Sequence, residues 1–122
     1  MLLDTCAWIE YFLKTPKGAR VRTFLTEKEC FTSAISIAEI SEWAERENLD
    51  RKTILDLIHQ LSTVLDLDRG ILETGGVLKV QKRVAHANIG LVDCLIIATG
   101  RQYNLPIVSS DRHFADENTI QL

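Results

Sequence analysis

"IGLVDCLIIATGRQYNLPIVSSDRHF", residues 89–114, decides how the chain is read. From Leu91 to Ala98 every residue except Asp93 is apolar. A helix apolar on nearly all sides is a buried helix. Pro106 cannot continue it, and it opens a short β-prone run, "PIVSSD", that ends on Asp111. The segment therefore reads as a buried helix feeding a strand. One acid stands at the start of the helix and another at the end of the strand.

The same alternation extends on both sides. "MLLD" is a first strand ending on Asp4, and "TCAWIEYFLK" follows with helical spacing. Thr15 and Pro16 form an N-cap and N1 pair that opens a second helix. "CFTSA" is a second strand. A helix follows with Ile37, Ile40, Trp43 and Ala44 on one face. "RKTILDLIHQLSTVL" is another helix, carrying Ile54, Leu57, Ile58 and Leu61 in line, and "TVLDL" is a third strand. "DRGILETGGVLKVQKRVAHA" is helical apart from Gly75-Gly76, which marks either a break or a close helix contact. "RHFADENTIQL" holds a turn and a short fifth strand. Strands alternate with helices and no two-residue hairpin turn interrupts them. The expected fold is α/β, a three-layer α/β/α arrangement with a central parallel sheet, in one domain over residues 1–122.

Composition narrows the function classes. The 122 residues are 46% hydrophobic and 25% charged, which is ordinary for a globular domain and excludes disorder over most of the chain. No apolar run reaches the roughly 20 residues of a membrane span. The N-terminus lacks a basic region before an apolar stretch, so no signal peptide is expected. Three cysteines, Cys6, Cys30 and Cys94, are odd in number and form no CxxC or zinc spacing, which points to reduced thiols in a cytoplasmic protein. The net charge of −3 carries no basic advertisement for a polyanion. A nucleic-acid partner would need a local basic patch or a metal ion.

In a parallel sheet all strands end at one edge, and the helices that follow them begin there. Asp4, Glu39, Asp93 and Asp111 all fall on that edge. Each also has a local explanation. Asp4 caps the helix near Thr5, Ser36 and Glu39 fit a capping box, Asp93 caps a helix near Cys94, and Asp111 suits a turn. Together, however, carboxylates converging in one cleft repel unless a cation lies among them. Hard oxygen donors without thiolate or imidazole partners favour Mg2+ or Mn2+ over zinc.

"LLDTCAWIEYF", "TSAISIAEI" and "IGLVDCLIIATGRQYNLPIVSSDRHF", in that order, resemble the signature segments of PIN-domain ribonucleases, and among them the VapC-type toxins. The likeness covers nearly the whole chain; residues 47–88 match only in helical character and length. It implies an Mg2+- or Mn2+-dependent endoribonuclease that cleaves RNA phosphodiester bonds with metal-activated water. Asp4, Asp93 and Asp111 would be metal ligands, with Glu39 a ligand directly or through water. Thr5 and Ser109 match hydroxyl positions that accompany these acids. Cys6 stands where serine is frequent and carries no expectation, and Asp116 matches too loosely to be included. The resemblance further implies a VapB-type protein antitoxin and a homodimer. The apolar residues of "CAWIEYF" and "ILDLIHQL" exceed what a monomer core obviously needs.

His59, His86 and His113 form no evident acid/base pair, and His113 is expected on the surface. Lys79, Lys82, Arg83 and His86 share helical spacing, either as a phosphate-tracking stripe or as a solvated face. Trp8, Tyr11, Phe12 and Trp43 are expected in the core or an interface rather than stacked on bases. Two rival classes stand beside the nuclease. One is a PIN-like module that binds RNA or protein without cutting. The other is a receiver-type phosphoacceptor domain, which normally pairs two acids after its first strand, where "LLDTC" has one.

Overall fold

The computed structural model describes residues 1–122. The chain runs β1 (Leu2–Leu3), α1 (Thr5–Phe12), α2 (Pro16–Glu27), β2 (Phe31–Ser33), α3 (Ala34–Arg46), α4 (Arg51–Leu61), β3 (Thr63–Leu65), α5 (Arg69–Lys82), α6 (Leu91–Gln102), β4 (Ile107–Ser109), a 3-10 turn (Arg112–Phe114) and β5 (Thr119–Gln121). The five strands form one parallel sheet in the order β3-β2-β1-β4-β5. The chain moves outward from β1 to β2 and β3, then returns to place β4 and β5 on the other side. The point where this direction reverses lies between β1 and β4, and in parallel sheets the crevice beyond such a point is where ligands bind.

Strand alternation splits the core. Leu2 and Ile107 point to one face and pack with Ile71 and Leu78 of α5 and the buried side of α6. Leu3 and Val108 point to the other, against Trp8, Val21, Ile40, Trp43, Ile54 and Ile58 from α1 to α4. Each face of the short sheet is thus covered by helices, giving the three layers expected. α6 is buried continuously from Cys94 to Gly100. Trp8 is fully enclosed, and its indole N–H donates to Thr32 Oγ1 at 3.0 Å. Trp43 is also buried, and Tyr11 and Phe12 pack half-buried against the same core.

Local signals explain the helix starts. Asp4, Thr15, Asp50 and Asp68 each accept a hydrogen bond from a backbone N–H of the helix they precede. Gly75-Gly76 does not break α5. A Cβ on Gly75 would lie 2.6 Å from Leu95 Cδ2, so this glycine lets α5 and α6 approach closely. A Cβ on Gly76 would meet nothing within 4 Å. The pair therefore makes a clean contrast. Gly76→Ala should stabilise by up to about 1 kcal/mol, the usual helix-interior gain. Gly75→Val should cost roughly 1–3 kcal/mol by overpacking. Thermal or urea denaturation of the two variants checks the sign of each.

The Lys79/Lys82 stripe is neither of the two things its spacing suggested. Lys79 Nζ turns inward to the Ile89 carbonyl. Lys82, with only 10% of its side chain exposed, pairs with Glu117 at 2.8 Å and Asp116 at 3.1 Å. Lys82 ties α5 to the segment after β4 and Lys79 ties it to the loop before α6, so neither lysine is available to track phosphates or forms a solvated face. The apolar residues of "CAWIEYF" and "ILDLIHQL" also pack mainly inward, with Ala7, Trp8, Ile54 and Ile58 in the core. The exposed apolar side chains include a run along α5 and just beyond it, at Leu72, Val77, Val80 and Val84, beside scattered ones such as Leu13, Leu61 and Leu91.

Candidate active site

Asp4 leaves β1 as the N-cap of α1. Its Oδ1 accepts from the Ala7 N–H at 2.7 Å, and its Oδ2 accepts from the Ser109 hydroxyl at 2.5 Å. The residue is 2% exposed. Burial is the main force on its carboxyl and pushes the pKa up to about 7. The Ser109 and Ala7 hydrogen bonds oppose that rise, and the Asp111 and Asp93 charges add to it.

Glu39 arrives by a different route from the one its sequence suggested. α3 is capped by Ser33, whose hydroxyl accepts from the Ile35 N–H at 3.3 Å. The Ser36–Glu39 capping box does not form, because the helix has already begun at Ala34 where β2 ends. Glu39 consequently sits in the second turn. There the Thr5 hydroxyl donates to its Oε1 at 2.5 Å and lies 3.1 Å from the Ser36 hydroxyl. Burial raises the Glu39 pKa; the Thr5 hydrogen bond opposes the shift and the Asp93 charge reinforces it.

Asp93 is not an N-cap either. Gly90 takes that place, and Asp93 lies at the third helical position, where its Oδ2 accepts from the Gly90 N–H at 3.3 Å. A glycine cap has no side chain to return the bond, so only half of a capping box exists. Asp111 follows β4 and caps the 3-10 turn, accepting from the His113 N–H at 2.9 Å. The Asp111 N–H in turn donates to Ser109 Oγ at 2.8 Å. Ser109 therefore locks together the ends of β1 and β4.

The four acids, drawn from four elements, line one cleft of about 330 Å³ beyond the switch point, with Thr5, Cys6, Trp43 and Arg46 among its walls. No lysine or arginine pairs with any of the four; Arg46 is engaged with Glu42 at 3.1 Å and Glu47 at 3.8 Å. The Cys6 thiol is pushed up to about 12, chiefly by burial and further by the neighbouring acids, so it stays protonated. A neutral thiol is a poor ligand. The donor set is thus carboxylate oxygen, crowded and without a fixed counter-cation, and this fits a hard divalent ion.

One residue at this edge corrects the sequence-based expectation. His113 is not a free surface side chain. Its Nδ1 lies 3.3 Å from Asp93 Oδ2 and 3.4 Å from Asp111 Oδ1. The three residues form a compact group able to hold a metal. Phe114, next in the chain, is apolar and buries to 1% exposure, which folds the turn back and carries His113 to the acids. Asp116, by contrast, faces Lys82 and His86, away from the cleft.

Residues 1–117 match the family model of the PIN domain. The chain belongs to the PIN-domain family. No curated protein sequence is similar enough to count as a match. Solved structures share the PIN fold at low identity. A toxin-antitoxin complex from Klebsiella pneumoniae superposes with a TM-score of 0.77 at 18% identity, over 98% of this chain and 95% of that one. VapBC-1 from nontypeable Haemophilus influenzae gives 0.76 at 20% identity, over 98% and 96%. VapC20 from Mycobacterium tuberculosis, a Sarcin-Ricin loop cleaving toxin, gives 0.73 at 15% identity, over 99% and 97%. The structural neighbours of this PIN domain are thus VapBC-type proteins, and the receiver-type alternative is set aside.

Proposed function

We propose that this PIN domain is an Mg2+- or Mn2+-dependent endoribonuclease and the toxin of a type II toxin–antitoxin pair acting in the cytoplasm. The observation that carries the reading is the convergence of Asp4, Glu39, Asp93 and Asp111 on one cleft with no lysine or arginine paired to any of them. Asp4, Asp93 and Asp111 would hold the ion, with Glu39 completing the site directly or through water. A bound divalent ion supplies a Lewis acid for the phosphodiester and a water of lowered pKa. The chain's own residues do the positioning. Ser109 fixes Asp4 and Asp111 relative to each other, and Thr5 fixes Glu39. No side chain is needed as a covalent nucleophile, and the protonated Cys6 is unsuited to that task. Arg46 is the cation nearest to hand in the cleft, and its exposed pairs with Glu42 and Glu47 are weak enough to give way to a backbone phosphate.

Cleavage of a single-stranded RNA by EDTA-stripped protein, with Mg2+ or Mn2+ added back, tests the reading. Activity that appears only with metal supports it. RNA binding without cleavage under all these conditions would favour the non-cutting module instead.

The toxin-antitoxin neighbours suggest the partner: a VapB-type antitoxin that sets a basic side chain against the acids. Such a side chain satisfies carboxylates as an ion does, so the two should compete. Inhibition by a co-expressed antitoxin should therefore weaken as Mg2+ rises, and insensitivity to both Mg2+ and charge reversal in the antitoxin tail would contradict this. We also place a homodimer contact on the exposed apolar stripe of Leu72, Val77, Val80 and Val84. Sedimentation should give twice the chain mass of 13.8 kDa, and Val80→Lys should shift it toward monomer. A wild-type monomer at micromolar concentration would exclude the dimer.

A further inference from the structure

We infer that His113 is a nitrogen ligand of the divalent ion and biases this site toward Mn2+ over Mg2+; the inference rests on the acid edge being a metal site. The argument begins with placement. The His113 ring is held by two anchors outside itself. Its backbone N–H is bound by Asp111 Oδ1, and the next residue, Phe114, is locked in the core. The ring is therefore delivered to the acids by the fold rather than by chance contact of a mobile surface side chain.

The His113–Asp93 contact is a direct hydrogen bond, and its length is also one that two ligands sharing an ion would keep. Adjacent ligands on an octahedral ion with bonds of about 2.1 Å lie roughly 3 Å apart. His113 Nδ1 stands 3.3 Å and 3.4 Å from one oxygen of Asp93 and one of Asp111. All three donor atoms fall within 4.8 Å of one another. Little movement would bring them to a single ion. Neither carboxylate has a lysine or arginine competing for it, while the other histidine nearby, His86, lies with its ring centre 6.1 Å away and turns its Nε2 to Asp116.

The donor chemistry sets the preference. Carboxylates alone suit Mg2+, which holds hard oxygen and water in strict octahedral geometry. An imidazole nitrogen adds little for Mg2+ and more for a first-row transition ion such as Mn2+. A PIN domain with His113 in this place should therefore discriminate where an all-carboxylate edge would do so less.

The test is pulsed electron paramagnetic resonance on stripped full-length protein loaded with Mn2+. Wild type and His86→Gln should show nitrogen-14 modulation from a directly bound imidazole, and labelling with nitrogen-15 histidine should replace it by the nitrogen-15 pattern. His113→Gln should bind Mn2+ without the modulation. Its Mn2+ affinity should fall about ten-fold or more while its Mg2+ affinity changes far less. Mn2+ bound by wild type with no histidine modulation, or modulation that persists in His113→Gln, overturns the inference and leaves the metal site standing. Wild type that binds no Mn2+ at all overturns both. The labelled wild-type spectrum decides the question even if His113→Gln folds poorly.

Discussion

Asp93→Asn should reduce RNA cleavage at least about a hundred-fold while leaving the fold in place, since loss of one charged group at a metal-assisted site removes several kcal/mol of transition-state stabilisation. The substitution separates function from structure because of where Asp93 sits. As the third residue of α6 it accepts a bond from the Gly90 N–H, and an asparagine oxygen can still accept it. Losing the charge forfeits the attraction to the helix N-terminus, worth about 0.3–1 kcal/mol, and the contact with His113. Relief of repulsion offsets this, because the Asp93 charge bears on both Asp4 and Glu39. Metal-free stability should consequently stay within about 1 kcal/mol of wild type. Single-turnover cleavage and melting, each with and without Mn2+, measure the two effects. An Asp93→Asn protein of normal stability that cleaves as wild type would remove Asp93 from the site.

Stripped of metal, the protein should lose stability as pH rises from about 4 through 7. Asp4 has a folded-state pKa of about 7 against an ordinary value of 3.8, chiefly through burial, and burial raises Glu39 too. The folded state therefore holds protons that the unfolded state has released across that window. Stability is greatest on its acid side and falls as pH rises, by on the order of a few kcal/mol for a shift of this size. Glu117 and Asp116 act in the opposite sense. Burial works against ionised Glu117, but Arg101 and Lys82 prevail and lower its pKa, and Lys82 lowers that of Asp116. Their contributions fade only on acidification below the ordinary carboxylate range. Between pH 5 and 8 the acid edge should govern the slope. Divalent metal should reverse it, because the ions favour the charged carboxylates, so stabilisation by Mn2+ should be larger at pH 8 than at pH 5. Denaturant unfolding across this range, repeated on Asp4→Asn, checks the account. A flat wild-type profile without metal, or a slope unchanged by Asp4→Asn, would contradict it.

These effects were partly visible in residue order alone. The apolar run around Asp93 can only be a buried helix, and the alternation on either side of it leaves a parallel sheet as the economical arrangement. That arrangement sends all four acids to one edge without any knowledge of distances. The finer placements were not legible, for identifiable reasons. Ser33 and Ser36 are both plausible caps, and only the length of β2, set by its pairing with β3 through Ser33 and Leu65, decides that the helix starts early. Gly90 carries no side-chain signal, so nothing in the sequence says that it displaces Asp93 from the cap. The spacing of Lys79 and Lys82 puts them on a shared helix face but does not say what that face meets; Glu117 and Asp116 arrive from beyond β4. His113 depends on the same kind of information, since its direction is set by the burial of its neighbour Phe114.

Anomalous diffraction at the manganese edge, from crystals of stripped protein soaked in Mn2+, tests the central claim most directly. A manganese peak bound by the carboxylates of Asp4, Asp93 and Asp111 is the result expected from the convergence of these acids on one cleft. A well-ordered cleft with no manganese at saturating Mn2+, the four carboxylates satisfied by the protein alone, would show that the acids serve local structure and nothing more.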